Sequence, residues 1–177
     1  MRFHSRSAEE TRRAAAALGA AIDATLAAEP GAPAFVVALV GPLGAGKTEW
    51  VRGLAEGLGV DPRAVASPTF VIASEYPGRR RLAHVDLYRL ASEAELEAAG
   101  FLDLLAPGAV VAVEWADRFP AALPADRLEV RIERSAQAPE EREITLEASG
   151  PRAWKALGHW TMERARAIEE RGSGAWR

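Results

Sequence analysis

Eight consecutive residues, Gly41-Pro42-Leu43-Gly44-Ala45-Gly46-Lys47-Thr48, bring together the groups that a polyphosphate requires. Gly41, Gly46, Lys47 and Thr48 meet the spacing Gly-x-x-x-x-Gly-Lys-[Ser/Thr]. Glycines let the backbone wrap so that successive N–H groups, those of Leu43, Gly44 and Ala45 among them, point inward at phosphate oxygens. A helix opening at that point adds its positive N-terminal end. In such a loop, a P-loop, Lys47 reaches the β- and γ-phosphates of a nucleotide and the Thr48 hydroxyl ligates magnesium. An accidental glycine-rich turn would satisfy the pattern in roughly one chain of this size in a hundred.

A P-loop works with a second acid near the magnesium, usually at the end of a neighbouring parallel strand. Glu114, closing the run Val110-Val111-Ala112-Val113, has that context. Asp86, in His84-Val85-Asp86-Leu87-Tyr88-Arg89, is a second candidate on a shorter, more polar strand. His84 and Asp86 share a strand face at period two, as a metal or proton-relay pair would, although a strand histidine also serves structure alone. Ser67-Pro68-Thr69-Phe70 places hydroxyls where switch segments sense a γ-phosphate, and an ordinary proline turn reads the same way. Of the nearby arginines, Arg89 lies at an odd offset from Asp86 and so faces away if the strand continues. Arg118 follows Glu114 within a short turn whose direction the sequence leaves open.

The elements around these residues read as one α/β domain spanning residues 1–177. Ser7-Ala8-Glu9-Glu10 is a capping box that opens a helix over about 7–28, ended by Pro30, Gly31 and Pro33. Phe35 to Val40 is an apolar run suited to a strand buried on both faces, and Thr48 to Leu58 reads as the helix after the loop. Val65 to Tyr76 reads as extended, joined through Pro77-Gly78 to a strand over Arg81 to Leu87. Ser92-Glu93-Ala94-Glu95 caps a short helix that stops near Gly100. Leu128 to Arg134 and Glu143 to Glu147 alternate as half-exposed antiparallel strands do. Pro151 opens a last helix to about residue 170, with a frayed tail after 171.

Composition excludes several classes. A net charge of −3 gives no basis for sequence-independent binding of nucleic acid or acidic lipid; the run Arg79-Arg80-Arg81 is a local contact or a solvated turn. With no cysteine, disulfides and thiolate metal sites are absent. With no asparagine, the Asn-Lys-x-Asp signature of guanine recognition cannot occur. Lysine stands only at positions 47 and 155 in an arginine-rich chain. No stretch reads as a signal peptide or a membrane span, so the expected location is the cytoplasm.

The set Leu43-Gly44-Ala45-Gly46-Lys47-Thr48, Ser67-Pro68-Thr69-Phe70, His84-x-Asp86-x-Tyr88-Arg89-Leu90 and Glu114-Trp115 resembles the bacterial TsaE family, once called YjeE. Glu95-Leu96-x-x-x-Gly100-Phe101 resembles that family too, and the likeness runs from about Ser7 to Glu147. The resemblance implies a three-layer P-loop NTPase fold with a mainly parallel central sheet and antiparallel edge strands. It also implies the ATPase component of tRNA threonylcarbamoyladenosine (t6A) synthesis, using ATP and Mg²⁺. On that pattern Thr48 and Glu114 hold the metal, Lys47, Asp86 and Glu114 are catalytic, Trp115 lines the site and Thr11 approaches the nucleotide. The partners implied are TsaD and TsaB, whose transferase complex the ATPase resets between turnovers, with slow hydrolysis by the isolated component. Pro42, where the family usually has an acid, and Ala116-Asp117, where Pro-Glu is common, depart from the pattern. A small-molecule kinase using Arg79 to Arg81 as a lid, and a nucleotide sensor without turnover, are the alternatives.

Overall fold

The computed structural model describes residues 1–68, 72–136 and 138–173, with residues 163–173 as backbone only. Strand β1 (Arg2–Ser5) carries no alternation that announces a strand. It forms because β7 (Arg142–Ser149) offers it an antiparallel partner. In helix α1 (Ala8–Ala27) the Ser7 hydroxyl accepts from Glu10 N at 3.1 Å, while the Glu10 carboxylate accepts from Arg6 N at 2.8 Å. Strand β2 (Phe35–Val40) is buried at every position, and the glycine loop delivers it into α2 (Lys47–Gly57).

A 3₁₀ turn at Pro62–Ala64 follows, and only Ala73–Tyr76 pairs as strand β3. Of the segment expected to be extended from Val65, residues 65–68 are loop and Ala73–Tyr76 strand, while 69–71, with Thr69 and Phe70, lie outside the described residues. Strands β4 (Leu82–Asp86) and β5 (Val110–Glu114) are buried throughout. Between them stand α3 (Glu93–Ala98), capped by Ser92 as expected, and α4 (Phe101–Leu104), which Gly100 opens in a left-handed conformation. Strand β6 (Arg127–Arg134) and β7 precede α5 (Pro151–Ser173), which runs past the expected end near 170; residues 174–177 lie outside the described residues. The first turn of α5 is capped from a distance, with Asp126 accepting from Ala153 N at 3.1 Å and from Arg152 Nε at 2.9 Å.

The sheet order is β1-β7-β6-β2-β5-β4-β3. Strands β6, β2, β5 and β4 are mutually parallel, while β1, β7 and β3 join antiparallel at the flanks. The expected antiparallel pairing holds between β6 and β7, but the edge placement is corrected for β6, which also lies beside β2, parallel to it from Val36↔Arg127 to Val40↔Arg131. Its alternation reflects a strand whose inward residues Leu128, Val130 and Ile132 are buried while its other face is more open. Helices α1, α2 and α5 cover one face of the sheet; α3 and α4 cover the other. Helices α1 and α2 approach backbone to backbone, because a Cβ on Gly53 would overlap Arg12 O and one on Gly57 would overlap Ala16 O. Among the described residues no helix is long and apolar enough to cross a membrane.

Candidate functional site

The four parallel strands all end on one edge of the sheet, where α/β folds place their ligand sites. Strand β2 ends in the glycine loop, β4 in Asp86, β5 in Glu114 and β6 in Arg134. The loop adopts left-handed angles at Gly44 (φ 70°) and Gly46 (φ 109°), which side chains at those positions would strain. Ala45 N donates to Pro42 O at 3.1 Å, so the Ala45 N–H closes a turn inside the loop instead of pointing inward as expected, and Pro42, which has no N–H, supplies the carbonyl of that turn. Gly41 lies against Ile132 O, where a Cβ would not fit. Ala45 is buried, and Leu43 is exposed at the tip.

Lys47 is only 4 % exposed, and its ammonium donates to Gly41 O at 2.6 Å and Pro42 O at 3.0 Å. The ammonium also lies 3.7 Å from the centroid of the Trp115 ring, a cation–π contact. Burial pushes Lys47 below the ordinary lysine range, opposed by the negative charges of Glu114, Asp86 and Asp117. Trp115 holds φ at 59°, a left-handed value unusual for a bulky side chain, and its ring packs on Tyr88 with centroids 4.9 Å apart.

Glu114 is the hub of the acids. Its Oε1 accepts from Thr48 Oγ1 at 2.8 Å and lies 2.8 Å from His84 Nε2. Because Glu114 accepts, the tautomer with the proton on Nε2 fits, which leaves the buried Nδ1 as a lone pair without a partner. His84 thus pairs with Glu114 across the strands rather than with Asp86 along its own. Asp86 stands beside Glu114 in the β4–β5 register, and its Oδ1 accepts from Tyr88 N at 2.9 Å. Thr48, Asp86, Tyr88 and Glu114, with Lys47 and Ser67, line a cleft of about 340 Å³. The donor set is oxygen only and small, which fits a magnesium ion; that hard cation keeps several waters and takes one or two protein oxygens beside phosphate.

Thr11 is buried, shares a hydrogen bond of 2.7 Å with Ser5 Oγ, and lines a narrow cavity against Ala45, Gly46 and Arg142. It therefore reaches the back of the glycine loop. The structure places both arginines weighed from the sequence. Strand β4 ends at Asp86, so Arg89 lies in a turn closed by Leu90 N to Leu87 O (3.2 Å), and the strand argument about its face does not apply. Arg118 donates to Leu90 O at 2.7 Å. Arg79 and Arg80 bind Asp23 of α1 at 3.1 and 2.7 Å, and Arg79 also donates to Gly57 O at the far end of α2, so this run is no lid over the loop. Two arginines that the sequence did not single out touch the loop: Arg134 donates to Leu43 O and Gly44 O, and Arg142 to Ala45 O. Their spacing from the loop, some ninety residues, left no local signal.

A family model described as threonylcarbamoyl adenosine biosynthesis protein TsaE matches residues 5–144, which include the glycine loop, Asp86, Glu114, Trp115, Arg134 and Arg142. The Bacillus subtilis protein named tRNA threonylcarbamoyladenosine biosynthesis protein TsaE is 45% identical over 121 residues, covering 68% of this chain and 73% of its own. The Treponema pallidum protein of the same name is 38% identical over 146 residues, covering 82% of this chain and 99% of its own. A crystal structure of Bacillus subtilis YdiB superposes with a TM-score of 0.67 at 33% identity, covering 93% of this chain and 95% of that one. A glycine loop, two strand-end acids and an αL tryptophan thus share one sheet edge in a chain that these proteins match over most of its length, and the chain belongs to the TsaE family of t6A biosynthesis proteins.

Proposed function

We propose that this protein is a Mg²⁺-dependent ATPase that supports t6A formation by resetting a TsaD–TsaB transferase complex between turnovers. The observation that carries the reading is the Thr48–Glu114 hydrogen bond of 2.8 Å, which brings the loop hydroxyl and the strand-end acid to one point beside the Lys47 ammonium. Lys47 and the loop N–H groups bind the β- and γ-phosphates. Thr48 and Glu114 hold the magnesium, which when bound neutralises charge developing on the phosphate oxygens. Asp86 orients the attacking water. The water oxygen bonds to the γ-phosphorus as the bridge to the β-phosphate breaks, the electron pair leaves with ADP, and the water's proton passes to the surrounding acids or solvent. His84 holds Glu114 in place, and Trp115 with Tyr88 closes one side of the cleft.

The test is t6A formation over many turnovers with TsaD and TsaB, with and without this chain, alongside Mg²⁺-dependent phosphate release. The expected result is sustained t6A synthesis and phosphate release only when chain, ATP and Mg²⁺ are all present. Tight ATP binding with no phosphate release, even with both partners, would replace this reading with a nucleotide sensor.

A further inference from the structure

A loop that turns its N–H groups inward must turn carbonyls outward, and those carbonyls need donors if the loop is to keep its shape. In this protein one hairpin supplies them. Arg134, the last residue of β6, donates from Nη2 to Leu43 O at 3.2 Å and from Nε to Gly44 O at 3.3 Å. Arg142, the first residue of β7, donates from Nε to Ala45 O at 2.7 Å. Three consecutive carbonyls of the loop are thereby taken by two guanidinium groups. Arg142 is itself held by Nη1 bonds to Pro139 O (2.6 Å) and Glu141 O (2.9 Å).

Two features mark this as more than an incidental surface contact. Arg134 and Arg142 are direct cross-strand partners in the β6–β7 register, and like charges in that position repel. The loop carbonyls offset that repulsion by accepting from both guanidinium groups, and a polyanion in the loop would offset it further. The loop also leaves room for the contact: a Cβ on Gly44 would meet Arg134 Nη2, so the guanidinium would have to move from its present place.

We infer that Arg134 and Arg142 are positioning residues for the nucleotide's phosphates, clamping the glycine loop from outside so that its N–H face is set before the polyphosphate arrives. The two guanidinium charges add to that of Lys47 at the loop, favouring di- and triphosphates. This inference rests on the reading of the loop as a nucleotide site. The clamp contacts backbone, not substrate, and a fork of N–H donors suits it where a single ammonium does not.

The test compares wild type with Arg134→Ala, Arg142→Ala, the double alanine variant, and Arg134→Lys and Arg142→Lys. ADP and ATP affinity is measured by calorimetry, amide hydrogen exchange over residues 41–48 in the free protein, and thermal stability alongside. Each alanine is expected to weaken ADP and ATP binding about tenfold, as loss of charge-assisted bonds does. Exchange across 41–48 should accelerate while exchange in the core strands stays as in wild type, an outcome that a general loss of stability would not give. The lysine variants, which keep charge but lose the fork, should fall between wild type and alanine, and they keep the test open if the double variant fails to fold. Alanine variants within about twofold of wild type in affinity, with unchanged exchange over the loop, would overturn the clamp. Lysine variants equal to wild type in both measures would overturn the need for a fork. If wild type itself binds neither nucleotide, the proposed function fails, while the exchange measurement still judges the clamp by itself.

Discussion

Lys47 is buried, charged and bonded to the first carbonyls of its own loop, so its charge is already aimed along the path that phosphates would take. Lys47→Ala removes that charge, and ATP affinity measured by calorimetry should fall at least about tenfold, the usual scale for a lost bond to a charged group. Unchanged affinity would move the phosphate site elsewhere. Glu114→Gln keeps shape but loses the charge that Thr48 and His84 meet. It should weaken the Mg²⁺ dependence of ATP binding and lower phosphate release by about a hundredfold or more, as loss of a metal-holding acid does. Wild-type turnover in this variant would pass the metal role to Asp86. Glu114 was legible in the sequence because a carboxylate after a run of buried apolar residues has few structural reasons to stand there. The bond from His84 to Glu114 was not, since it depends on the register between two strands separated by α3 and α4. The arginines at 134 and 142 were still less so, because on alternating strands they look like ordinary solvated positions.

At the scale of elements, the helix that follows the loop is held by the helix that precedes it in the chain. Helices α1 and α2 meet through Gly53 and Gly57, where a side chain has no room. Gly53→Ala sets two effects against each other. Helix propensity gains up to about 1 kcal/mol, but the Cβ would press on Arg12 O and Ala15, and overpacking of this kind costs about 1–3 kcal/mol. The overlap is with backbone, which yields least, so the variant should be less stable by about 1–2 kcal/mol in denaturant unfolding. A variant more stable than wild type would show that the helices can separate freely. Both capping boxes and the buried runs of β2 and β5 were legible, since caps and apolar runs are local signals. Strand β1 was not, because its four residues owe their conformation to β7, more than a hundred residues away. The central place of β6 was hidden for a related reason: alternation reports which face is open, not the direction of a neighbouring strand.

Across the whole molecule, the groups assigned to nucleotide chemistry gather on one edge of the sheet, and the arginine run at 79–81 is tied down away from it, largely through Asp23. Arg118 is bound to Leu90 O, and Arg52, which lines the cleft, is paired with Glu49 at 3.0 Å. A positive charge supplied in trans to the γ-phosphate is worth roughly 10³–10⁵ in rate in other P-loop NTPases. The isolated chain is therefore expected to bind ATP and hydrolyse it slowly, and TsaD with TsaB should raise phosphate release by at least about a hundredfold, a lower bound set by that range. Fast release by the chain alone, indifferent to saturating TsaD–TsaB, would count against activation by partners.

The ammonium resting on the Trp115 ring gives this protein an optical signal of its own. A cation against an indole shifts and quenches its emission, so a ligand that draws Lys47 away from the ring changes the fluorescence of that one tryptophan. Trp50 and Trp160, by contrast, are buried in the core, and neither carries the Lys47 ammonium on its ring. The arrival of such a ligand can then be followed in real time without a label, and Trp115→Phe should erase the signal while leaving the emission of the other tryptophans in place.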